Sequence, residues 1–389
     1  MTRFRVALDA RRLSGNRRGI GRYVYELARR LPAQAPDIEF LLLVDRHLEN
    51  GSIPDGCREV LVGRPYGKPV KRFWDVGGRI QSVLWMNVLL PYALRREAVD
   101  VFHGTNYALP GSTECRTVAT IHDMISLRVP GAFEPVYQRY MRSLVSRVAR
   151  QSDHLIADSQ ATKNDIVELL ELEPDRVSVV HLGVGDEFLG AFGQDYLNEV
   201  KARFALPGRF VLHVGAIERR KKLETLLGAC AGLLRRGLLD AVVLAGEDGY
   251  GAGEVKRTAI KLGIDKGVLY PGYVEQRLLP GLYTLAQVVS LASAYEGFGM
   301  PVVEAMACGT PVVTSSVSSL PEVAGDAAVT VPPGDANALA RAIESLLTDP
   351  VLRRRSIERG RDRAGSFRWA DTAAKHVEVY RHVLAQGRS

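Results

Sequence analysis

The feature that most constrains the fold is a series of twelve short, almost wholly apolar runs, separated by segments of helical length. The runs are rich in β-branched residues and do not alternate with polar ones, which is typical of strands buried on both faces of a parallel sheet. Their alternation with helical segments predicts two doubly wound α/β domains. The predicted strands are residues 5–10, 39–45, 99–103, 117–122, 154–159, 177–182, 209–215, 241–246, 268–271, 287–292, 311–315 and 328–331.

The boundary between the two domains is predicted within a polar stretch, residues 188–206, after which Pro207 and Gly208 precede the next strand. We therefore expect an N-terminal domain over residues 1–195 and a C-terminal domain over residues 205–366. A final helix over residues 367–389 is expected to pack back on the N-terminal domain. Its apolar residues recur at helical spacing at Trp369, Ala373, Val377 and Tyr380.

Composition narrows the class of function. Lys and Arg number 51 against 44 Asp and Glu, a net charge of +7, which suits an anionic substrate or membrane surface and does not indicate nucleic acid. The four cysteines lack the spacing of a metal or redox motif, so buried thiols are expected. Without a signal-peptide pattern or an apolar stretch of about 20 residues, a cytoplasmic protein is expected.

The first glycine-containing turn, Gly19-Ile20-Gly21, follows the first predicted strand and opens a helix. Glycines there let backbone amides approach an anion, although a plain strand-to-helix turn has the same pattern. Val24 stands where the dinucleotide-binding fingerprint needs its third glycine, which disfavours a nicotinamide dehydrogenase.

His122 and Asp123 end the fourth predicted strand. Ligands of open α/β sheets collect at the carboxyl ends of strands, where His122 can donate to a sugar hydroxyl and Asp123 can orient it. A histidine that merely caps the next turn fits the same position.

A basic segment, Arg219-Arg220-Lys221-Lys222, separates Gly215 from a helix predicted to begin at residue 223. Cations at a helix start oppose the helix dipole and cost stability unless an anion offsets them. A diphosphate would be such an anion, and a solvated basic face is the alternative.

Glu296 and Glu304 stand eight positions apart around a glycine turn and a predicted helix start. Carboxylates accept hydrogen bonds from sugar diols, and a helix N-terminus favours phosphate oxygens. Alternatively, Glu304 only stabilises the helix start. The segment between them is Gly297, Phe298, Gly299, Met300, Pro301 and Val302.

Together these motifs, in this order over nearly the whole chain, resemble a retaining family 4 glycosyltransferase of the GT-B type. The local sequences around Gly19 and His122 are similar to those of bacterial mannosyltransferases of polysaccharide assembly. The resemblance implies two Rossmann-like domains facing a cleft, with a nucleotide-diphosphate sugar as donor and no cofactor. Three further matching segments are residues 157–163, 272–274 and 318–322.

The resemblance also implies a role for each matched position. Lys221 and Arg220 would neutralise the diphosphate, Glu296 would hold the sugar hydroxyls, and Glu304 would hold the ribose. His122 would lie beside the reacting carbon, and the amide of Gly19 would meet a phosphate. Val274 would line the base, and Gly215 with residues 297–302 would complete the donor site. Ala216 departs from the arginine that many relatives carry there, which weakens the assignment of Arg220.

The motifs indicate the donor, the need for a metal and the acceptor less directly than they indicate the roles of the matched residues. The glutamates and the lysine suit GDP-, UDP- and dTDP-sugars alike, and the resemblance favours GDP-mannose. No Asp-x-Asp motif is present to hold a divalent cation, so metal-independent catalysis is expected. The acceptor is expected to be a glycan or lipid-linked oligosaccharide. Basic and aromatic residues interleave over residues 64–96, a pattern that fits an anionic membrane surface or an ordinary surface with a buried aromatic cluster.

Two other functions remain open at this stage. A nucleotide-sugar 2-epimerase of related architecture would bind the same donor without an acceptor. A two-lobed solute-binding protein would need neither the basic segment nor a cytoplasmic location.

Overall fold

The computed structural model describes residues 3–14, 19–48, 53–63 and 83–386. Contacts between residues divide the chain into two compact units. The first comprises Met1–Met124, Tyr140–Gly183 and Trp369–Ser389, and the second comprises Ile125–Arg139 and Val184–Arg368.

Within the described residues, strands and helices alternate along most of the chain. The strands are β1 (Phe4–Asp9), β2 (Ile38–Val44), β3 (Cys57–Leu61), β4 (Val101–Gly104), β5 (Arg116–Ile121), β6 (His154–Ala157), β7 (Val177–Val179), β8 (Phe210–Val214), β9 (Ala241–Ala245), β10 (Val268–Gly272), β11 (Val288–Leu291), β12 (Val312–Ser315) and β13 (Val329–Val331). The α-helices are α1 (Ile20–Gln34), α2 (Leu90–Arg96), α3 (Ile125–Arg128), α4 (Pro135–Gln151), α5 (Gln160–Leu170), α6 (Gln194–Arg203), α7 (Leu223–Arg235), α8 (Ala252–Lys261), α9 (Leu279–Leu285), α10 (Met300–Ala307), α11 (Leu320–Ala324), α12 (Ala336–Thr348), α13 (Pro350–Ala364) and α14 (Trp369–Ala385).

The first unit contains a parallel sheet in the order β3-β2-β1-β4-β5-β6-β7. Its central strands are buried along their length, and every residue of β4 and β6 is buried. This burial on both faces explains why the sequence shows apolar runs there. The carboxyl ends of β4, β5 and β6 lie at one edge, which brings Thr105, His122 and Asp158 together.

The second unit contains a parallel sheet in the order β10-β9-β8-β11-β12-β13. This is the strand order of a Rossmann-type sheet, whose direction of winding reverses between β8 and β11. One apolar cluster joins the strands to α7 and α12, with Leu227, Val242 and Ile343 fully buried. Ligands of such sheets bind beyond the carboxyl ends of the strands beside that reversal.

The predicted C-terminal helix is present as α14, beginning at Trp369. Its apolar face is buried, and its polar residues bond to the core of the first unit. His376 Nε2 lies 2.7 Å from the Tyr23 hydroxyl, and the Tyr380 hydroxyl lies 2.8 Å from His103 Nδ1.

One strand escapes the sequence analysis. β3 is the edge strand, and its residues are largely exposed or half-buried, so it lacks the continuous apolar run that marks the others. All four cysteines are free thiols, and three of them are buried. Across the part of the chain that the structure describes, no helix has the length and apolar character to cross a bilayer.

Candidate active site

A buried ion pair of the second unit lies just beyond β8. Lys221 Nζ donates to Glu296 Oε1 over 2.6 Å, and only 8% of the Lys221 side chain is exposed. Arg220 Nη1 lies 3.7 Å from the other carboxylate oxygen of Glu296. The two sequence motifs that carried the predicted donor site, one basic and one acidic, are therefore in direct contact.

Burial and charge act in opposite directions on this pair. Burial alone would raise the pKa of Glu296, but the charges of Lys221 and Arg220 outweigh it and hold that pKa below its ordinary value. Burial lowers the pKa of Lys221, and the carboxylate of Glu296 only partly opposes that fall. An additional anion near the ammonium would favour its charged form, so the site is electrostatically suited to receive a phosphate.

Three serines fix the turn that carries Glu296. The backbone N–H of Glu296 donates to Ser318 Oγ over 2.9 Å, and Ser293 Oγ donates to the Glu296 carboxylate. Ser319 Oγ lies 2.9 Å from the carbonyl oxygen of Glu296 and 2.8 Å from that of Phe298. The segment after β12 thus holds the glycine turn in place.

Glu304 lies on α10, which begins at Met300 directly after the turn. Its Oε2 accepts a hydrogen bond of 2.8 Å from the hydroxyl of Tyr283, which is fully buried. Gly299 precedes the helix with φ +103°, a backbone conformation that favours glycine. Pro301 occupies the first turn of α10, where its missing N–H costs no helical bond.

Two glycines bring the ends of β8 and β9 close together. Gly215 follows β8 with φ +140°, and a Cβ on Gly246 would lie 1.9 Å from the carbonyl oxygen of Gly215. A Cβ on Gly215 itself would lie 3.8 Å from Lys221 Nζ. Val274 is buried just beyond β10, while its neighbour Tyr273 is 42% exposed.

The basic segment differs from the expectation in one respect. Arg219–Lys221 form a 3₁₀ turn, and Lys222, with φ +51°, separates that turn from α7. Carboxylates offset three of the four cations: Glu296 pairs with Lys221, Glu218 with Arg220 over 2.7 Å, and Glu254 with Arg219 over 2.7 Å. The protein's own carboxylates thus offset three charges for which the sequence analysis offered a diphosphate or a solvated basic face.

The first unit holds the other predicted site residues. Gly19, with φ +45°, precedes α1, and nothing lies within 4 Å of the position that a Cβ would take there. His122 Nδ1 lies 2.7 Å from Asp158 Oδ2, and its Nε2 lies 2.9 Å from the carbonyl oxygen of Thr105. Asp123, which was expected to orient His122, contacts Tyr107 through its backbone.

The structure therefore brings the predicted residues together in two groups. The second unit joins Lys221, Arg220 and Glu296, with Glu304 on the helix that follows. The first unit sets His122 at the carboxyl edge of its own sheet. Within the described ranges, no three His, Cys, Asp or Glu side chains are placed to hold a metal ion.

Several supporting residues were not assigned a role from sequence. Asp158 is the carboxylate that contacts His122, Tyr283 holds Glu304, and Ser318 and Ser319 hold the glycine turn. The position of Asp158 at the end of a strand could have marked it as a site residue, because it directly follows β6 as His122 follows β5. Tyr283 lies inside an apolar helix and gave no comparable signal.

Comparisons with known proteins show the family to which the chain belongs. Residues 17–188 match the family model described as Glycosyltransferase Family 4, and residues 198–363 match that described as Glycosyl transferases group 1. The chain is 30% identical over 378 residues to the O-antigen chain mannosyltransferase B of Escherichia coli, covering 93% of this chain and 96% of the relative. It is 31% identical over 332 residues to the MMP alpha-(1->4)-mannosyltransferase of Mycolicibacterium hassiacum, covering 80% and 78%.

Solved structures give the same result for the fold. Sucrose-phosphate synthase from Thermosynechococcus elongatus superposes with a TM-score of 0.77 at 22% identity, covering 99% of this chain and 100% of that one. The likeness confirms the predicted fold class, in which two α/β units each contain a parallel sheet. With family models matching both halves and a relative aligned along nearly its whole length, this chain belongs to the family 4 glycosyltransferases.

Proposed function

We propose that this enzyme transfers mannose from GDP-mannose to a hydroxyl of a glycan or lipid-linked oligosaccharide, with retention of anomeric configuration. The observation that carries the proposal is the buried contact between Lys221 and Glu296 at the carboxyl edge of the second sheet. Both relatives described above are named mannosyltransferases, which supports the choice of sugar. Retention follows the family resemblance.

The chemistry of cleavage assigns the two charged groups. When a glycosyl–phosphate bond breaks, negative charge grows on the departing diphosphate, and preorganised cations lower the barrier. The ammonium of Lys221 has three N–H groups, of which Glu296 occupies one, so others can face a phosphate. The carboxylate of Glu296 would then accept hydrogen bonds from the sugar, and Glu304 from the ribose.

We also propose that transfer needs no divalent metal. Lys221 and Arg220 supply two positive charges beside Glu296, which is the electrostatic role that a cation would otherwise fill. The sequence lacks the Asp-x-Asp motif of metal-dependent glycosyltransferases.

For the acceptor, we propose a site of action at an anionic membrane surface. Most of the basic and aromatic segment 64–96 lies outside the described residues, but its last part, from residue 83, is described. There Val83, Val88 and Tyr92 are more than half exposed, and Arg95 and Arg96 are exposed beside them. Such a surface suits anionic lipid. Flotation with anionic vesicles at low salt tests it, and failure to float would contradict it.

The donor is tested by thermal stabilisation with GDP, UDP and dTDP. A ligand that binds the folded state stabilises it by RT ln(1 + [L]/Kd), about 2.7 kcal/mol at 100 times Kd. We expect GDP to raise the melting temperature most. The variant Glu304→Gln, which removes the charge proposed to hold the ribose, should reduce the shift.

Transfer is distinguished from epimerisation by the fate of the nucleotide. A transferase releases free GDP from GDP-mannose only when an acceptor is present, whereas a 2-epimerase changes the donor without any acceptor. Acceptor-independent conversion of the donor, or the largest thermal shift with UDP or dTDP, would contradict the proposal. NMR of the product linkage determines whether configuration is retained.

A further inference from the structure

Both ring nitrogens of His122 lie within hydrogen-bond distance of an oxygen atom. Nε2 lies 2.9 Å from the backbone carbonyl oxygen of Thr105, and a carbonyl oxygen has no proton to give. Nδ1 lies 2.7 Å from Asp158 Oδ2, and an ionised carboxylate there can only accept a hydrogen bond. Beside an ionised Asp158 both ring nitrogens therefore donate, and the ring is an imidazolium.

Asp158 lies beside the start of a helix. Asp158 directly precedes Ser159, the N-cap of α5, whose side chain accepts from the backbone N–H of Thr162. The partial positive charge at a helix start stabilises a carboxylate placed there. Asp158 is 3% exposed, and its Oδ1 has no hydrogen-bond partner among the described residues, so His122 is the donor that matches its charge.

Aromatic rings fix the plane of the imidazole. Tyr23 on α1 meets the ring edge-on at a centroid distance of 5.0 Å and an angle of 84°. Tyr107 does the same at 6.2 Å and 86°, and its hydroxyl contacts the backbone of Asp123. The ring cannot turn without breaking both hydrogen bonds and these contacts.

The charges around His122 agree with this geometry. Burial alone would lower the pKa of His122, but Asp158, the carbonyl of Thr105 and Asp123 outweigh it and raise that pKa above its ordinary value. The other titratable groups near the ring remain neutral: burial lowers the pKa of His103 and His376 and raises that of Tyr23. The groups facing His122 from the surrounding elements are Asp158, Asp123, Tyr23, Tyr107, His103 and His376.

We propose that His122 works as a fixed imidazolium cation, and that Asp158 is the positioning residue that keeps it charged and oriented. Such a ring has no lone pair, so it takes no proton from an acceptor hydroxyl. Its contribution is a permanent positive charge at the carboxyl edge of the first sheet. The use of that charge in catalysis rests on the proposed function.

The protonation state is measured directly by NMR of the full-length chain with ¹⁵N-labelled histidine. Ring ¹⁵N shifts distinguish the doubly protonated form from each neutral tautomer, and the variant His122→Gln identifies the signals. We expect His122 to be doubly protonated at about pH 7, where an ordinary histidine with a pKa of about 6.5 is mostly neutral. A neutral ring in the wild-type protein at that pH would overturn the proposal.

Asp158→Asn tests the positioning role. It removes the charge but keeps an oxygen that can accept from Nδ1, so the ring should become neutral at about pH 7 and kcat should fall at least tenfold. Asp123→Asn is the matched control, because it removes a nearby charge without that hydrogen bond and should lower the pKa less. A charged ring in Asp158→Asn, or an unchanged kcat with a neutral ring, would contradict the proposal.

The titration needs no substrate. A chain that transfers no sugar would contradict the proposed function and leave the histidine result standing. If Asp158→Asn does not fold, the wild-type spectrum still decides the protonation state.

Discussion

Each unit has a histidine near the carboxyl edge of its parallel sheet: His122 follows β5 in the first unit, and His213 lies in β8 of the second. His213 is fully buried, and its Nδ1 lies 3.3 Å from the carbonyl oxygen of Ser290. Its Nε2 has no hydrogen-bond partner in the ranges that the structure describes. One ring therefore has two acceptors, while the other has a single acceptor and an unused lone pair.

The charged side chain with the largest effect on the pKa has the opposite sign in the two places. Burial and, after it, the charge of Lys221 lower the pKa of His213 to about 4, because the carbonyl of Ser290 and the carboxylate of Glu296 oppose them only in part. Beside His122, Asp158 reverses the effect of burial and raises the pKa. The comparison teaches that strand position places a histidine at the edge of the sheet, and that the neighbouring charge decides whether it is a cation.

The largest effect on kcat is expected from removing the positive charge of Lys221 in the second unit. Lys221→Ala should lower kcat about 100-fold or more, because losing one preorganised group at a developing charge costs about 2.7–4 kcal/mol in barrier. The same variant should raise the pKa of His213, since Lys221 helps to lower it. Steady-state kinetics and histidine NMR measure the two effects.

Two controls accompany this variant. Lys222→Asn removes an adjacent, exposed cation and suits the left-handed backbone at that position, so kcat should change little. Lys221→Met keeps more of the buried side-chain volume and guards against a loss that is only structural. A near-normal kcat in both Lys221 variants would remove this residue from the mechanism.

The next effect concerns the free energy of unfolding, whose dependence on pH should have opposite directions for His213 and His122. His213 has a lowered pKa, so the unfolded chain takes up a proton before the folded one does, and stability is lost as pH falls from about 6.5 towards 4. Between about pH 6.5 and pH 4.5 this residue should cost about 2 kcal/mol. His213→Asn should shrink the acid-induced loss by that amount in urea unfolding.

His122 should act in the opposite direction. Because its pKa is raised, its contribution to stability is complete below the unfolded value and is lost as pH rises through the folded pKa. His122→Asn should therefore flatten the alkaline side of the stability curve and leave the acid side unchanged. Equal flattening of the same side by both variants would mean that the two histidines do not differ in charge.

Much of the fold could be predicted from the sequence, because strands buried on both faces leave continuous apolar runs. The strand β3, at an edge of the first sheet, left none, since Val60 is the one buried residue among its five. The pairing of Lys221 with Glu296 required the fold, because 75 positions separate the two residues along the chain.

The charges of the histidines were not predictable from local sequence. His122 and His213 both stand at or near the end of an apolar strand, so strand position alone does not tell their charges apart. Asp158 reaches His122 because β6 pairs with β5, a contact that strand order alone creates. Likewise, Tyr283 contacts Glu304 through the packing of α9 near α10, and its apolar surroundings concealed it.

A smaller effect is expected at Glu304, because its carboxylate is held by the neutral hydroxyl of Tyr283 and not by a cation. Tyr283→Phe removes the hydroxyl that donates to Glu304 and keeps the buried ring. Donor KM should rise about tenfold, or about 1.4 kcal/mol, which is close to the value of a hydrogen bond to a charged group. The value of kcat should change little, since Glu304 is proposed to bind the ribose and not the reacting sugar.

Tyr270→Phe is the matched control in the same unit. The Tyr270 hydroxyl is buried without a hydrogen-bond partner among the described residues, so its loss should leave KM unchanged or stabilise the protein slightly. If Tyr283→Phe affected kcat and KM as Lys221→Ala does, the two carboxylates would not have separate roles.

The smallest effect is expected from removing divalent metal. We propose that Lys221 and Arg220 supply the positive charge at the diphosphate. Excess EDTA should therefore leave kcat unchanged. Wild type and Lys221→Ala are assayed with EDTA and with added Mg²⁺. Activity of the wild type that disappears in EDTA and returns with Mg²⁺ would mean that the lysine does not replace a metal. Lys221 and Arg220 would then need a metal ion beside them to stabilise the diphosphate, whereas the contact between His122 and Asp158 is formed by protein groups alone.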